Sequence, residues 1–302
     1  MNAPSKVIAA PGALSPLVLS CLAATWLVWG STYLTIRFAL AGFAPYFLMA
    51  TRFLFAGAIL LAWQLARGAT LPTTRQWGNA LLVGTLMLGG GMGGVAYAEQ
   101  TIGSGLVVAF IAVIPLLLVV INLAFGIHPQ RREVLAVLVG LGGVLMLTQG
   151  AGLRASPAGL AAITVGTTGW ALGSVLTQRG FALASGATGF ATEMLCGGLA
   201  LLVMSAVRGE PWHWPVQTGV WLAWWYLVVF GSLIAFSAYM LLLARTSTSL
   251  ASSYSLVNPL VALLLGVTVG GEAVSRWEWL SCLVVMIGVV LLFAGRRRES
   301  SE

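Results

Sequence analysis

Side chains able to do chemistry are few in this sequence, and most sit in apolar surroundings. There is no Asp, and of the eight Glu only Glu193 lies well inside an apolar stretch, with Glu99 near the end of another. Arg52 lies inside a third. An ionisable group in mid-membrane costs about 2.5–3.5 kcal/mol on insertion scales, so such groups face an interior or a cavity. Two readings stay open for Arg52 and Glu193: a substrate-attracting charge or, for Glu193, a coupling site; or a buried, hydrogen-bonded structural group. His128 and His213 fall in loops, no two carboxylates share a stretch, and H-E-x-x-H, G-x-S-x-G and G-x-x-x-x-G-K-[ST] are absent. Acid–base, zinc, serine and ATP-driven chemistry therefore lack their parts. Cys21, Cys196 and Cys282 form an odd set without metal spacing and read as packing residues. No catalytic residue, metal or cofactor is expected.

What remains is hydrogen bonding and aromatic contact. The stretch from Ala251 to Glu272 opens with Ser252, Ser253, Tyr254, Ser255 and Asn258, meets Pro259, and then runs almost wholly apolar to Gly270-Gly271-Glu272. Its polar half can donate to and accept from an ammonium or carboxylate group. A proline within a span bends the helix and frees backbone groups that survive in lipid only where protein or a wet cavity receives them. Gly105 to Pro115, followed by Leu116 to Phe125, repeats that plan, so Pro115 and Pro259 are the expected hinges. Trp26, Trp29, Tyr97, Trp170 and Tyr239 can wall an aromatic pocket. Ser252, Ser255 and Asn258 are the expected substrate contacts, with Ser31 and Ser174 at matching places in the two halves beside them.

The elements that must position these groups are membrane spans. At 59% hydrophobic and 8% charged residues, the composition lies far outside that of soluble domains. Windows of about 20 residues pick out ten helices. They are Leu17–Ala39, Pro45–Ala66, Trp77–Ala98, Gly103–Phe125, Val134–Thr148, Ala158–Arg179, Thr188–Val207, Val220–Leu243, Leu250–Gly270 and Trp277–Ala294. The first is long and followed by many others, so it is expected to be retained and not cleaved as a signal peptide. The +7 net charge is spread over short loops and Arg296-Arg297-Arg298, with no basic face for nucleic acid. With the N-terminus inside, Lys6, Arg67, Arg75, Arg131, Arg132, Arg179, Arg245 and Arg296 to Arg298 collect on the cytoplasmic side, against Arg37, Arg52, Arg154, Arg208 and Arg276 opposite. That asymmetry places both termini in the cytoplasm. Trp212, Trp214, Trp221, Trp224, Trp225 and Tyr226 read as an interfacial aromatic belt.

The chain also repeats itself. Thr51 to Leu61 resembles Thr192 to Leu202, which sets Arg52 opposite Glu193; Trp29-Gly30-Ser31 resembles Leu172-Gly173-Ser174; Gly143 to Met146 resembles Gly288 to Leu291. Five spans per half is odd, so the second half enters the bilayer from the other side and direct pairing of Arg52 with Glu193 is not implied. Gly84, Gly89 to Gly91, Gly93, Gly94, Gly166, Gly169 and Gly173 allow helix backbones to approach closely. The fold class is all-α and polytopic, with ten transmembrane helices as two inverted five-helix repeats. A cytoplasmic segment covers 1–15, the repeats 16–150 and 157–295, and a basic tail 296–302.

These residues resemble the drug/metabolite transporter superfamily in its ten-helix, two-EamA-domain form. The features that carry the resemblance are Trp26 to Ser31 running on to Arg37, Arg52-Phe53, Ala109 to Pro115, Asn258-Pro259 with Gly270-Gly271-Glu272, and Gly288. The first half has Gly126-Ile127-His128-Pro129 where the second has Gly271-Glu272, so the family's loop glutamate is carried over to Glu272 alone. Within the superfamily the chain looks most like the YddG-like aromatic and neutral amino-acid exporters. The resemblance implies a multi-pass transporter of the bacterial inner membrane that exports amino acids or related metabolites by alternating access. Its partners would be a small-molecule substrate and the lipid bilayer, with no nucleic acid, as a monomer or weak dimer. Export of another metabolite or drug class is the alternative; a non-transporting membrane sensor or scaffold is the reading from a different class. The first span lacks the embedded carboxylate of four-helix relatives, so proton coupling through Glu193 and facilitated diffusion both fit.

Overall fold

A computed structural model describes residues 15–101, 107, 110–149, 156–268 and 275–296. Among them there is no strand, and the long helices are α1 (Pro16–Leu40), α2 (Pro45–Ala66), α3 (Thr74–Ala98), α4 (Ile114–Ala124), α5 (Arg131–Thr148), α6 (Pro157–Gln178), α7 (Ala187–Val207), α8 (Thr218–Arg245), α9 (Tyr254–Thr268) and α10 (Arg276–Arg296). Six of these, α1, α2, α3, α6, α7 and α8, are long and apolar enough to cross a bilayer, and Phe110–Ala124 and Trp279–Leu291 are shorter apolar helices. The Gly270-Gly271-Glu272 motif, Gly105 and Arg154 lie outside the described residues.

Local sequence explains where the helices start. Ser15 and Ser156 cap α1 and α6 by accepting from the backbone N–H three residues on, each just before a proline whose missing N–H costs nothing at that position. Thr73 and Gln76 form a reciprocal capping box at α3. The start of α2 is different: Ala44 supplies no side-chain cap, and the Glu210 carboxylate, from the loop after α7, accepts from the N–H groups of Tyr46 at 3.2 Å and Phe47 at 2.9 Å. A carboxylate there also meets the positive end of the helix dipole. Glu210→Ala is expected to cost about 1–2 kcal/mol and Glu210→Gln less, read as the melting temperature in detergent. An unchanged midpoint in both variants would remove the cap from the account.

Packing brings distant parts of the chain together in a paired pattern. The α1 helix packs on α8 and α9, while α6 packs on α3 and α4; α2 meets α8, while α7 meets α3; α2 pairs with α7 and α5 with α10. Replacing each helix by the one five further along exchanges these contacts among themselves. The α3–α6 contact is backbone to backbone. A Cβ at Gly166 would stand 3.0 Å from the Gly90 carbonyl oxygen, and one at Gly169 would stand 2.8 Å from that of Leu86. Such approach is how apolar helices gain contact where lipid tails offer no hydrophobic contrast.

Both α3 and α8 contain a widened π-helical segment, Thr85–Met92 and Leu227–Phe236. A π segment leaves the backbone ladder out of step, so side chains can reach its carbonyls. In α8 the Ser232 hydroxyl donates to Leu227 O, five residues back, and the Trp29 indole donates to Gly231 O at 3.1 Å.

The expected aromatic belt is only partly exposed. Trp212, Trp214 and Trp225 are exposed, but Trp224 is buried and donates to the Thr51 hydroxyl. Trp212 stacks on Phe47, and Trp214 lies edge-on to Phe43. With Glu210, this loop folds over the start of α2.

Candidate functional site

Helical spacing gathers the aromatic candidates. Trp26, Trp29 and Tyr33 occupy one face of α1 at i, i+3 and i+7, Trp170 and Ser174 one face of α6, and Tyr254 and Asn258 one face of α9. The α1–α8 and α6–α3 contacts then bring these faces to a common centre. Trp29 is its hub, with ring centroids 5.5 Å from Trp170, 5.3 Å from Tyr239 and 4.7 Å from Tyr254. Trp170 to Tyr239 is 5.4 Å and Tyr239 to Tyr254 is 5.5 Å. Most of these pairs are edge-to-face or tilted, the arrangements the aromatic quadrupole favours.

Two polar networks flank the rings. In the first, the Trp170 indole N–H donates to the Tyr239 hydroxyl at 3.3 Å, Tyr239 to Ser174 Oγ at 2.9 Å, and Ser174 to the Trp170 carbonyl at 2.7 Å. That loop closes on itself, so each proton is committed. In the second, the Trp26 indole donates to Ser253 Oγ at 3.0 Å. The Asn258 amide nitrogen donates to the carbonyls of Trp26 and Tyr254 at 3.1 and 3.0 Å, which turns its oxygen to the Tyr33 hydroxyl, 3.4 Å away.

The backbone beneath the second network is broken. A single turn, Thr248–Ala251, capped by Ser247, is followed by Ser252-Ser253 and then by α9. Ser255 N and Leu256 N bond to Ser252 O and Ser253 O three residues back, a tighter spacing than the α-helix. Pro259 lies inside α9, so the break precedes the proline by more than a turn. Pro115 likewise stands at the start of α4, just after an irregular turn at Val113. Asn122 of α4 donates to Thr248 at 3.1 Å, tying the two proline-bearing segments together.

Between them is a cavity of about 40 Å³, walled by Trp29, Tyr33, Met92, Ile111, Trp170 and Tyr254 among others. This space has room for no more than a few water molecules. Sites for metabolites and drugs run to about 300–1,000 Å³, so anything the size of an amino acid requires the walls to part.

The remaining candidates lie apart from this centre. Ser31 donates to Val28 O and shares a 2.6 Å contact with the Tyr226 hydroxyl. Tyr97 stacks on Tyr46 and accepts from Arg208 at 2.8 Å, at the end of α3. Ser252 and Ser255 are buried in the broken segment, Ser255 donating to Ser252 O. Arg52 is 1% exposed; its Nε donates to Ser232 Oγ at 2.7 Å, and its guanidinium carbon lies 4.8 Å from the Phe53 ring centroid. Glu193 is fully buried, and neither carboxyl oxygen has a hydrogen-bond partner. Glu99, one residue past α3, also has an unpartnered buried oxygen; burial pushes its carboxyl well above the usual range, while Arg37 pulls the other way. Sequence reasoning passed over Tyr33, although its place one turn beyond Trp29 was the available signal.

A sequence model of the EamA-like transporter family matches residues 16–149 and again 157–294. The chain belongs to the EamA-like transporter family. Among EamA-like relatives, the protein named an uncharacterized inner membrane transporter, YedA, of Escherichia coli strain K12 is 40% identical over 284 residues, covering 94% of this chain and 92% of YedA. Protein PecM of Dickeya dadantii is 27% identical over 273 residues, covering 88% of this chain and 86% of its own. A solved crystal structure with 24% sequence identity covers 95% of this chain and 99% of its own with a TM-score of 0.76, which shows a shared fold. The family's name denotes transporters, and YedA's an inner membrane transporter, rather than enzymes.

Proposed function

We propose that this EamA-like protein is a secondary transporter that exports amino acids, aromatic and neutral ones foremost, or related small metabolites, across the bacterial inner membrane by alternating access. The single observation that carries the reading is the packed aromatic centre: rings from α1, α6, α8 and α9 meet one another, and those of α1, α6 and α9 wall a cavity too small for a metabolite. A carrier caught between its two open states has such a centre; a permanent pore does not. Aromatic walls with hydroxyl, indole and amide groups at their edges suit an amphiphilic solute with an apolar side chain.

Three further features support alternating access. The family model matches the two halves separately, the main helix contacts map onto themselves when each helix is exchanged for the one five along, and the π segments occur in α3 and α8. These fit ten spans arranged as two inverted five-helix repeats, with both termini cytoplasmic and the broken segments before Pro115 and Pro259 as hinges. In that frame the site would comprise Trp26, Trp29, Tyr33, Trp170, Ser174, Tyr239, Tyr254 and Asn258.

The test is counterflow into proteoliposomes loaded with unlabelled amino acids, with labelled aromatic, small neutral and basic amino acids outside and no ion gradient. Saturable exchange of aromatic or neutral amino acids is expected. A linear, unsaturable leak would sink the carrier reading; exchange confined to a non-amino-acid metabolite would keep the carrier and replace the substrate.

A further inference from the structure

Among the described residues, the most isolated ionisable group is the Glu193 carboxyl on α7. No cationic side chain acts on it, and neither oxygen is hydrogen-bonded. The titratable groups within its electrostatic range are Tyr239 of α8 and Cys196 of its own helix. From α2, Arg52 is turned to Ser232 and Met49. From α3, the stretch Val83 to Met92 presents only glycine, threonine and apolar residues. A lone carboxylate so placed is tolerated in an apolar interior only when neutral, because nothing replaces the water it gives up.

We propose that Glu193 is a proton-binding site, occupied in this packed state and emptied when α3 and α7 separate, so that substrate passage is coupled to proton movement in the opposite direction. The inference rests on the transporter reading and adds its energy source. The step is simple to balance: the carboxyl O–H bond breaks, the proton passes to water on the side to which the helices open, and the carboxylate is reprotonated from water on the other side.

Geometry supplies both requirements of such a device. The first is a seal that can open. Gly84 of α3 lies against the Glu193 backbone, where a Cβ would stand 2.6 Å from the Glu193 carbonyl oxygen, and a Cβ on Gly197 would stand 2.8 Å from that of Gly84. This seal is made of small residues, and the π segment of α3 starts one residue later. Small residues let backbones slide, and π segments are points where a helix changes register. The second requirement is a link to the cavity. Tyr239 stands in electrostatic range of Glu193 and also in the ring cluster, bonded to Ser174 and Trp170. Parting the cavity walls therefore disturbs the surroundings of the acid.

The experiment compares the purified full-length protein with Glu193→Gln, and with Glu193→Asp as the variant that keeps a carboxyl. In infrared spectra the wild type should show a carboxylic-acid carbonyl band that titrates and that Glu193→Gln lacks. In proteoliposomes with the membrane potential clamped, an imposed pH gradient should concentrate the exchanged amino acid up to about tenfold per pH unit, the limit for one proton per substrate. Glu193→Gln should keep gradient-free counterflow within about threefold and lose the response to the gradient. A wild type indifferent to the gradient, a Glu193→Gln protein that still responds, or a carboxyl band that never titrates would each overturn the proposal. The infrared measurement needs no substrate, and the difference between wild type and Glu193→Gln separates the Glu193 band from that of the buried Glu99 carboxyl. Absence of exchange with every amino acid would thus refute the substrate reading, while a titrating band that Glu193→Gln removes would still support the proton site.

Discussion

Trp29→Ala is expected to lower the stability of the folded protein by about 3–5 kcal/mol and to abolish substrate exchange. Trp29 is 6% exposed and touches Trp170, Tyr239 and Tyr254 at once, so its removal takes one side from three aromatic contacts. Each such pair is worth about 0.5–1.5 kcal/mol beyond the packing of its atoms. Its indole also bridges α1 to the π segment of α8 by donating to Gly231 O. A Cβ at Gly231 would stand 2.5 Å from the Arg52 guanidinium, so a side chain there would displace that group. The segment is thus braced by Trp29 on one side and by Arg52 through Ser232 on the other. Trp29→Phe separates the contributions: it keeps most of the ring packing and loses the hydrogen bond, for an expected cost of about 1–3 kcal/mol. Melting temperature in detergent reads the stability, and counterflow at matched protein amount reads the function. Trp29→Ala with an unchanged midpoint and normal exchange would show that the ring cluster is neither the structural nor the transport centre.

The sequence conveyed the membrane class and family because those rest on signals summed over many residues. Apolar runs of about 20 residues survive any local exception, and the doubled motifs need only order and spacing. The candidate site was legible where two residues on one helix declared a common face, as with Trp170 and Ser174. It was not legible where a contact joins helices far apart in the chain. Nothing near Arg52 marks Ser232 as its partner, 180 positions away, and nothing near Tyr46 or Phe47 marks Glu210. Backbone irregularity was hidden for another reason. Pro259 attracts attention as a helix breaker, yet the break falls at Ser252-Ser253, where serine side chains and Trp26 take up backbone and hydroxyl groups. The π segments carry no residue type that announces them, since they arise from how α3 and α8 are packed.

Arg52 and Glu193 show what the repeat contributes and what it leaves to each half. They occupy matching places, followed fifteen residues on by Arg67-Gly68 and Arg208-Gly209 at the ends of α2 and α7, where both glycines adopt positive φ. One charge is satisfied by Ser232 of α8. Laying Ala96-Tyr97 of α3 over Ala238-Tyr239 of α8 puts Gly90 where Ser232 stands, a residue with no side chain to offer a carboxyl. The second half has therefore kept a buried ionisable group without its partner. A buried ionisable group left unsatisfied calls for an account beyond the resting fold, and the proposed proton site supplies one.

Gly94→Leu is expected to leave little folded protein, with loss of the monodisperse peak on detergent gel filtration. A Cβ at Gly94 would stand 2.5 Å from the Ala162 carbonyl oxygen and 3.2 Å from the Gly166 Cα, and both neighbours are backbone. No rotamer change relieves that clash; α3 and α6 must move apart. One excess methylene in a packed interior already costs about 1–3 kcal/mol, and leucine adds several against a backbone that cannot yield. The matched control is Gly142→Leu on α5, where nothing lies within 4 Å of the added Cβ. There the midpoint should stay within about 0.5 kcal/mol of wild type or rise slightly, because leucine is the better helix former. Gly94→Ala is the informative intermediate. If α3 only packs against α6, the alanine protein should lose about 1–3 kcal/mol, because its Cβ already meets the Ala162 carbonyl, and exchange at the wild-type rate per folded molecule. If α3 must slide along α6 to open the aromatic centre, the added methyl rides over the Ala162 carbonyl during each turnover, so exchange should fall by about tenfold or more in protein that remains folded. Equal exchange rates for Gly94→Ala and wild type would confine these glycines to static packing and place the opening motion at the broken segments before α4 and α9.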